Sequence, residues 1–351
     1  SNLQENLTSG KRVVRASDDP TGAAQAERAI TRLARIQTDQ RALEAQRASI
    51  NQAEATLGDV NMALQNFREL AATAGNAAQS SNERQSIANE LKGYRDQIFA
   101  LANRQDTNGL PLFSALGSAL APFVGPQGLP QDYTFVGQPG QVASNEVSIP
   151  FALDGDRAFM HLPARDGVFN VSLTTVAGTP HELRSTGVTL VQPLPPPPSG
   201  LASNSSYAIT ITGVDTTSVP GTTTVTYDIA ENPNVLGPFS GSSSYPTNSS
   251  ANIAVTAIPG LSVNIQGKPV AGDVLTLDPR PSIFSVLDDA IRDIGNAPDS
   301  NASMQAVGQA LHNIDIGMSR ISSVRGQAGD LLNRADRISS NQEKRSIQVE
   351  G

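Results

Sequence analysis

The chain has 351 residues, with 25 Lys and Arg against 33 Asp and Glu, a formal net charge of -8, 38% hydrophobic and 4% aromatic residues, and neither Cys nor Trp. An acidic chain without a segregated basic patch argues against nucleic acid as a partner, and the lack of Cys excludes disulfides, thiol catalysis and Cys-based zinc sites. No apolar run approaches the roughly 20 residues of a membrane span, whereas the length suffices for two or three domains.

Residues 1–19 read as a polar lead-in in which Lys11, Arg12 and Arg15 cluster after a Ser9-Gly10 turn signal. Ser17, Asp18 and Asp19 complete this stretch, which suits either a solvated loop or a subunit contact. No secretory signal precedes it, and the chain opens at Ser1 inside what reads as a structured arm, so trimmed termini are expected. Asp19 followed by Pro20 is a helix start: the carboxylate accepts orphan backbone N–H groups, and proline at the first helical position has no N–H to lose. From Pro20 to about residue 74 the sequence predicts one uninterrupted helix roughly 80 Å long. Ile50, Leu57, Leu64 and Ala71 recur every seven residues, with Ala53, Val60, Phe67 and Ala74 three positions on, which forms a seam awaiting partner helices. Gly75 is the expected stop. A second helix carries Ile87, Leu91, Tyr94, Ile98 and Leu101 as one stripe that should fold back on the rod. Asp106-Thr107-Asn108-Gly109 is a turn cluster.

From about 116 to 280 the chain turns rich in Gly, Pro, Ser and Thr, with short alternating apolar runs at 168–171, 207–211, 225–227, 253–255 and 261–265. These predict a β-rich domain. Pro195 to Pro198 cannot lie in a central strand and would divide the region into two lobes. Helix returns after Pro281, with Ile283, Leu287, Ala290 and Ile294 on one face. In the last helix Leu311, Met318 and Leu332 occupy one heptad position and Ile314, Ile321, Ala328 and Ala335 the other, with Arg325 interrupting the seam. Its mate is the rod. The expected fold is therefore α+β: residues 1–115 and 281–351 form the two arms of a long antiparallel coiled-coil stalk, with an inserted β-rich domain at 116–280 and both termini at one end.

Catalytic chemistry is not indicated. His161, His181 and His312 are not paired at metal-ligand spacing. Asp154-Gly155-Asp156 lacks the remaining ligands of a calcium loop and reads as a tight turn. The Asp18–Asp19 pair is explained by the helix dipole. Neither a phosphate-cradling glycine loop nor a nucleophile elbow occurs. No catalytic residue, metal site or cofactor is expected.

LTSGKRVVRASDDPTGAAQAER at 7–28, LQNFRELAATAGN at 64–76 and NIDIGMSRISSVRGQAGDLLNRADRI at 313–338 resemble, in order, the terminal signatures of bacterial flagellins and their relatives. Pro20 after the paired aspartates, ANRQDTNGLPLFSA at 102–115 and NIQGKPVAGDVLTLDPRPSIFSVLDDAI at 264–291 are closer to the hook–filament junction (hook-associated protein 3, FlgL) family within that superfamily. The resemblance implies a structural adaptor of the bacterial flagellum, exported without a cleavable signal peptide. It would form a ring with copies of itself between the other junction protein and the flagellin filament. It also implies an export chaperone acting on C-terminal residues, an extracellular location and no membrane insertion. The alternative is a flagellin-type filament subunit with an exposed β domain. Family members usually carry additional apolar terminal helices that this sequence does not show. Arg68-Glu69-Leu70 resembles the flagellin surface read by a host innate receptor and joins the basic cluster as a contact candidate.

Overall fold

The computed structural model describes residues 20–128, 132–176, 182–191 and 204–350. Its helices are α1 (Pro20–Thr73), α2 (Ser81–Ala102), two short ones, α3 (Gly155–Phe159) and α4 (Pro163–Asp166), then α5 (Ile283–Gly295) and α6 (Ser300–Glu350). α1 and α6 run antiparallel, since rising numbers on one meet falling numbers on the other. Ser303 donates to the Ala74 carbonyl at 2.7 Å, and Arg68 meets Asp315, Arg325 meets Glu54 and Arg47 meets Asp336. The stalk is thus built from both chain ends.

The predicted seam of α1 is buried throughout: Ile50, Ala53, Leu57, Val60, Leu64, Phe67, Ala71 and Ala74 are all 0% exposed. On α6 one row behaves as expected, with Ile314, Ile321, Ala328 and Ala335 buried. The other row differs. Leu311, Met318 and Leu332 are only partly buried, and the buried positions are Gly317, Val324 and Ile338, with Leu331 partly buried like Leu332. Arg325 therefore does not interrupt the seam. Its guanidinium lies over Gly58, 3.6 Å from where a Cβ would sit, and its Nε reaches Glu54 at 2.6 Å. The apolar stripe of α6 is wide enough to hold both rows, and a third helix decides between them: Ile283 of α5 packs where a side chain at Gly317 would stand.

α2 starts with a reciprocal capping box between Ser80 and Glu83, which satisfies two orphan donors at once. α5 starts with a similar exchange between Ser282 and Ser285. α2 packs on α1 and α5, and α5 on α6, so the proximal stalk is a four-helix bundle. Ile98 and Leu91 are 0% exposed, while Ile87 and Leu101 lie half-buried at its edge. Phe284 of α5 anchors one end of the bundle, with ring centroids 5.2 Å from Phe99 and Tyr133, 5.5 Å from Phe123 and 5.7 Å from Phe159. The first three pairs are tilted or edge-on and the Phe159 pair is stacked at 15°, arrangements that suit the ring quadrupole.

The composition break at 116 is not the break between hydrophobic cores. Phe123, Tyr133, Ile149, Leu153, Phe159 and Val168 belong to the stalk core, and a second core begins at Phe169. Among the described residues of 116–168 the strands are those of a two-stranded ribbon, β1 (Phe123–Gln127) with β2 (Asp132–Phe135), and the aromatics there bury against helices instead of against a larger sheet.

The second core lies between two antiparallel sheets. Its strands are β3 (Phe169–Thr174), β4 (Arg184–Ser185), β5 (Thr189–Leu190), β6 (Ser206–Val219), β7 (Thr222–Asn232), β8 (Phe239–Pro246), β9 (Ala251–Val255), β10 (Leu261–Gly267) and β11 (Val274–Pro279). One sheet has the order β3-β11-β6-β7-β8; the other joins β4, β5 and β9 to β10. Alternate residues point inward, as with Tyr207, Ile209 and Ile211 on β6 and Leu261, Val263 and Ile265 on β10, which is the period-2 burial of a sheet solvated on one face. All five strand signals read from sequence fall in these sheets. The proline run at 195–198 lies outside the described residues.

Candidate assembly surfaces and the stalk–insert joint

The proximal bundle and the distal stalk use the same two helices with different cover. Among the described helices only α1 and α6 extend beyond Leu43, and the seam thins: Leu33 and Ile36 are half-buried, while Ile30 and Ile347 are 66% and 63% exposed. Polar residues enter the seam, with Gln46 accepting from the Ile149 N–H at 3.0 Å and Gln342 buried without a partner for either side-chain polar atom. Arg28, Arg32 and Arg35 stand exposed along α1. A two-helix ribbon leaves one side of each helix uncovered, so this end presents surface to further helices.

The β sandwich is seated on α6 by a ladder of amides at four-residue spacing, the spacing of one helix face. Asn301 donates to the Leu183 carbonyl at 3.0 Å, and Gln305 exchanges bonds with the Ser185 N–H and hydroxyl at 2.7 Å. Gln309 and Asn313 each donate to the Phe169 carbonyl at 2.8 Å. Beside them His312 Nε2 meets the Val188 carbonyl at 2.8 Å, with Gly187 pressed against its ring. A cleft of about 220 Å³ opens beside this ladder, lined by residues including Leu173, Leu183, Pro298 and Ala302. Sequence reading passed over the ladder, although Asn301, Gln305, Gln309 and Asn313 are legible as i, i+4 amides on one face.

Two ion clusters lie within the bundle and where β11 leads into α5. Arg95 contacts Asp288 at 3.1 Å and donates to the Tyr133 hydroxyl at 3.0 Å, and that hydroxyl donates to Asp288 at 2.6 Å. Burial and the Asp288 bond push the Tyr133 phenol up. Arg280 pairs with Asp289, which also meets Arg292 at 2.7 Å. Burial raises the Asp289 carboxyl and the two guanidiniums oppose that rise. In the sandwich, Glu231 is buried with Oε2 accepting the N–H groups of Val235, Leu236 and Gly237 at 3.0, 2.6 and 2.7 Å. Burial would raise it, but these bonds hold it below the usual carboxylate range.

The contact candidates separate. Lys11, Arg12, Arg15, Ser17, Asp18 and Asp19 lie outside the described residues, and Pro20 opens α1. Arg68 is tied to Asp315 at 2.8 Å, Glu69 is exposed, and Leu70 packs against the core, so this block is in part structural. Asp154 caps α3 through the Arg157 N–H instead of closing a tight turn, because Gly155 lets the backbone approach the Phe113 carbonyl. His161 is 2% exposed, and His181 lies outside the described residues. Among the described residues no group of three His, Asp or Glu is arranged to hold a metal ion, and no helix is long and apolar enough to cross a membrane.

Residues 1–117 match the bacterial flagellin N-terminal helical region. Flagellar hook-associated protein 3 of Salmonella typhimurium is 38% identical over 123 residues, which is 34% of this chain and 38% of that protein. Flagellin of Bacillus subtilis is 32% identical over 110 residues, 31% of this chain and 36% of its own length. The match thus spans under two fifths of either relative. A flagellar hook-associated protein-3 structure from Legionella pneumophila superposes with a TM-score of 0.69 at 20% identity, covering 93% of this chain and 97% of that one. The sequence matches agree with the resemblance read from residues 7–28 and 64–76, and the superposition gives the fold of stalk and insert together.

Proposed function

We propose that this chain, whose first third belongs to the bacterial flagellin N-terminal helical family and whose fold is shared with flagellar hook-associated protein 3, is a structural adaptor of the flagellum. It joins a hook-associated partner to the flagellin filament as a ring of identical subunits outside the cell, after export with a chaperone's help. The observation that carries this reading is the contrast along the stalk. A bundle sealed to 0% exposure at Leu57 and Leu64 gives way to a ribbon with Ile30 and Ile347 bare, which suits a subunit whose distal helices are covered by neighbours. No catalytic role is part of the proposal.

Deleting the gene is expected to leave cells non-motile, with hooks present and flagellin shed into the medium, and re-expression should restore filaments. Retained filaments in the deletion strain would assign the chain to the filament itself. That second reading has the 32% identity to Bacillus subtilis flagellin in its favour. Immunogold labelling separates the two by a single band near the cell against label along the filament.

A further inference from the structure

The strap of residues 154–167, which carries α3 and α4, crosses between α6 and the start of α5; Ala158 and Phe159 root its first half in the stalk core, and its second half is held by specific polar fixings. The His161 N–H donates to the Pro281 carbonyl at 2.7 Å, and Met160 bridges Ser282. Arg320 of α6 is the bolt: its Nη1 donates to Asp166 at 2.8 Å, and its Nη2 donates to the Arg157 carbonyl. Asp166, almost wholly buried, also accepts the Leu162 N–H at 2.9 Å and Arg165 Nε at 3.0 Å, while Arg165 Nη2 reaches the Met160 carbonyl at 2.9 Å. One carboxylate thus serves two guanidiniums.

His161 sits inside this arrangement at 2% exposure, and neither ring nitrogen has a hydrogen-bond partner. A neutral imidazole tolerates that position. An imidazolium would add a second unpartnered donor and a further positive charge beside Arg165 and Arg320, with Asp166 the carboxylate already bonded to both guanidiniums. The remaining charged neighbours of the network are Asp154, Asp156 and Arg157, and burial raises the Asp156 carboxyl; on the α5 side the His161 N–H meets the Pro281 carbonyl.

We propose that His161 makes this strap an acid-opened clasp, so that the proton enters only when residues 160–167 lift from α6 and expose the ring. Burial holds the imidazole down at about 3, against an ordinary 6.5 when the ring is free. The folded value is depressed, so the closed strap has its full stability above about pH 6.5 and loses it as pH falls. Each unit below that favours the open form by up to about tenfold. Asp156 works in the opposite sense, because a carboxyl raised by burial binds its proton more readily in the closed form.

Hydrogen exchange of the intact protein tests the clasp, read at residues 160–167 and corrected for intrinsic exchange. Between pH 7 and pH 5 the opening constant of this segment is expected to rise about twenty-five-fold, while the α1 seam around Leu64 does not change. His161→Leu should abolish the rise. An equal opening constant at both pH values, or a rise that survives in His161→Leu, overturns the proposal. Should that variant not fold, NMR titration of the native imidazole decides. No protonation down to pH 5 supports the clasp, and a midpoint near 6.5 with the strap closed refutes it.

Discussion

The proximal and distal halves of the stalk are made by the same two helices with the same kind of sequence, yet one is a sealed core and the other a half-open ribbon. The difference lies in what covers them. From Ile50 to Ala74, α2 and α5 close the sides that α1 and α6 leave bare, and every heptad position of α1 reaches 0% exposure. From Pro20 to Gln46 no third helix covers them among the described residues, and Ile36, in the register of Ile50, remains half-buried beside Leu33. A heptad states that a helix has a partner, but how much free energy the seam contributes depends on how many partners arrive.

The sharpest way to break this comparison is to truncate one seam residue in each half. Leu64→Ala should cost about 2–5 kcal/mol, as expected for a fully buried leucine in a well-packed site. Leu33→Ala should cost about 1 kcal/mol or less. Denaturant unfolding followed by helical circular dichroism checks both; equal losses would mean that the distal ribbon is as tightly packed as the bundle. The sandwich provides a control away from the stalk. Glu231→Gln removes the charge that organises three backbone N–H groups and should cost about 2–3 kcal/mol. Because Glu231 is held below its usual value, its contribution is fully present above about pH 4.5 and is lost as pH falls. The variant should therefore flatten the acid limb of the sandwich's unfolding, while an unchanged limb would assign the acid sensitivity elsewhere.

Within the ribbon, Gln342 is a buried amide with no partner for its oxygen or nitrogen. Gln342→Leu should stabilise the stalk by about 1–2 kcal/mol, since an unmatched polar group gives way to an apolar one of similar size. A lower melting temperature would show that the amide is engaged in solution. The smallest effect is expected at Arg325, whose pair with Glu54 is solvent-exposed. Arg325→Ala should change stability by about 0.2–1 kcal/mol and lose that effect in high salt. A loss comparable to that of Leu64→Ala would restore Arg325 to the seam.

By itself the sequence determined what depends on neighbours along the chain. The heptads of α1, the stripe of α2, the Asp106 turn, the helix start after Pro281 and the alternating strands at 207–211 and 261–265 all follow from local periodicity and turn chemistry, and all stand in the structure. Tertiary structure decided whatever depends on residues far apart in number. Ile283 selected which of two apolar rows on α6 faces inward. The aromatics of 116–168 joined the stalk core because, among the described residues, no larger sheet formed around them. The amides of α6 became a seat for the sandwich only because the Phe169 carbonyl and the Leu183–Ser185 strand arrive there. His161 and Glu231 show the same limit at single residues. A histidine and a glutamate look alike wherever they stand in a sequence, and only the packing around them leaves the ring of one without a hydrogen-bond partner and gives the carboxylate of the other three backbone N–H groups and the Tyr207 hydroxyl.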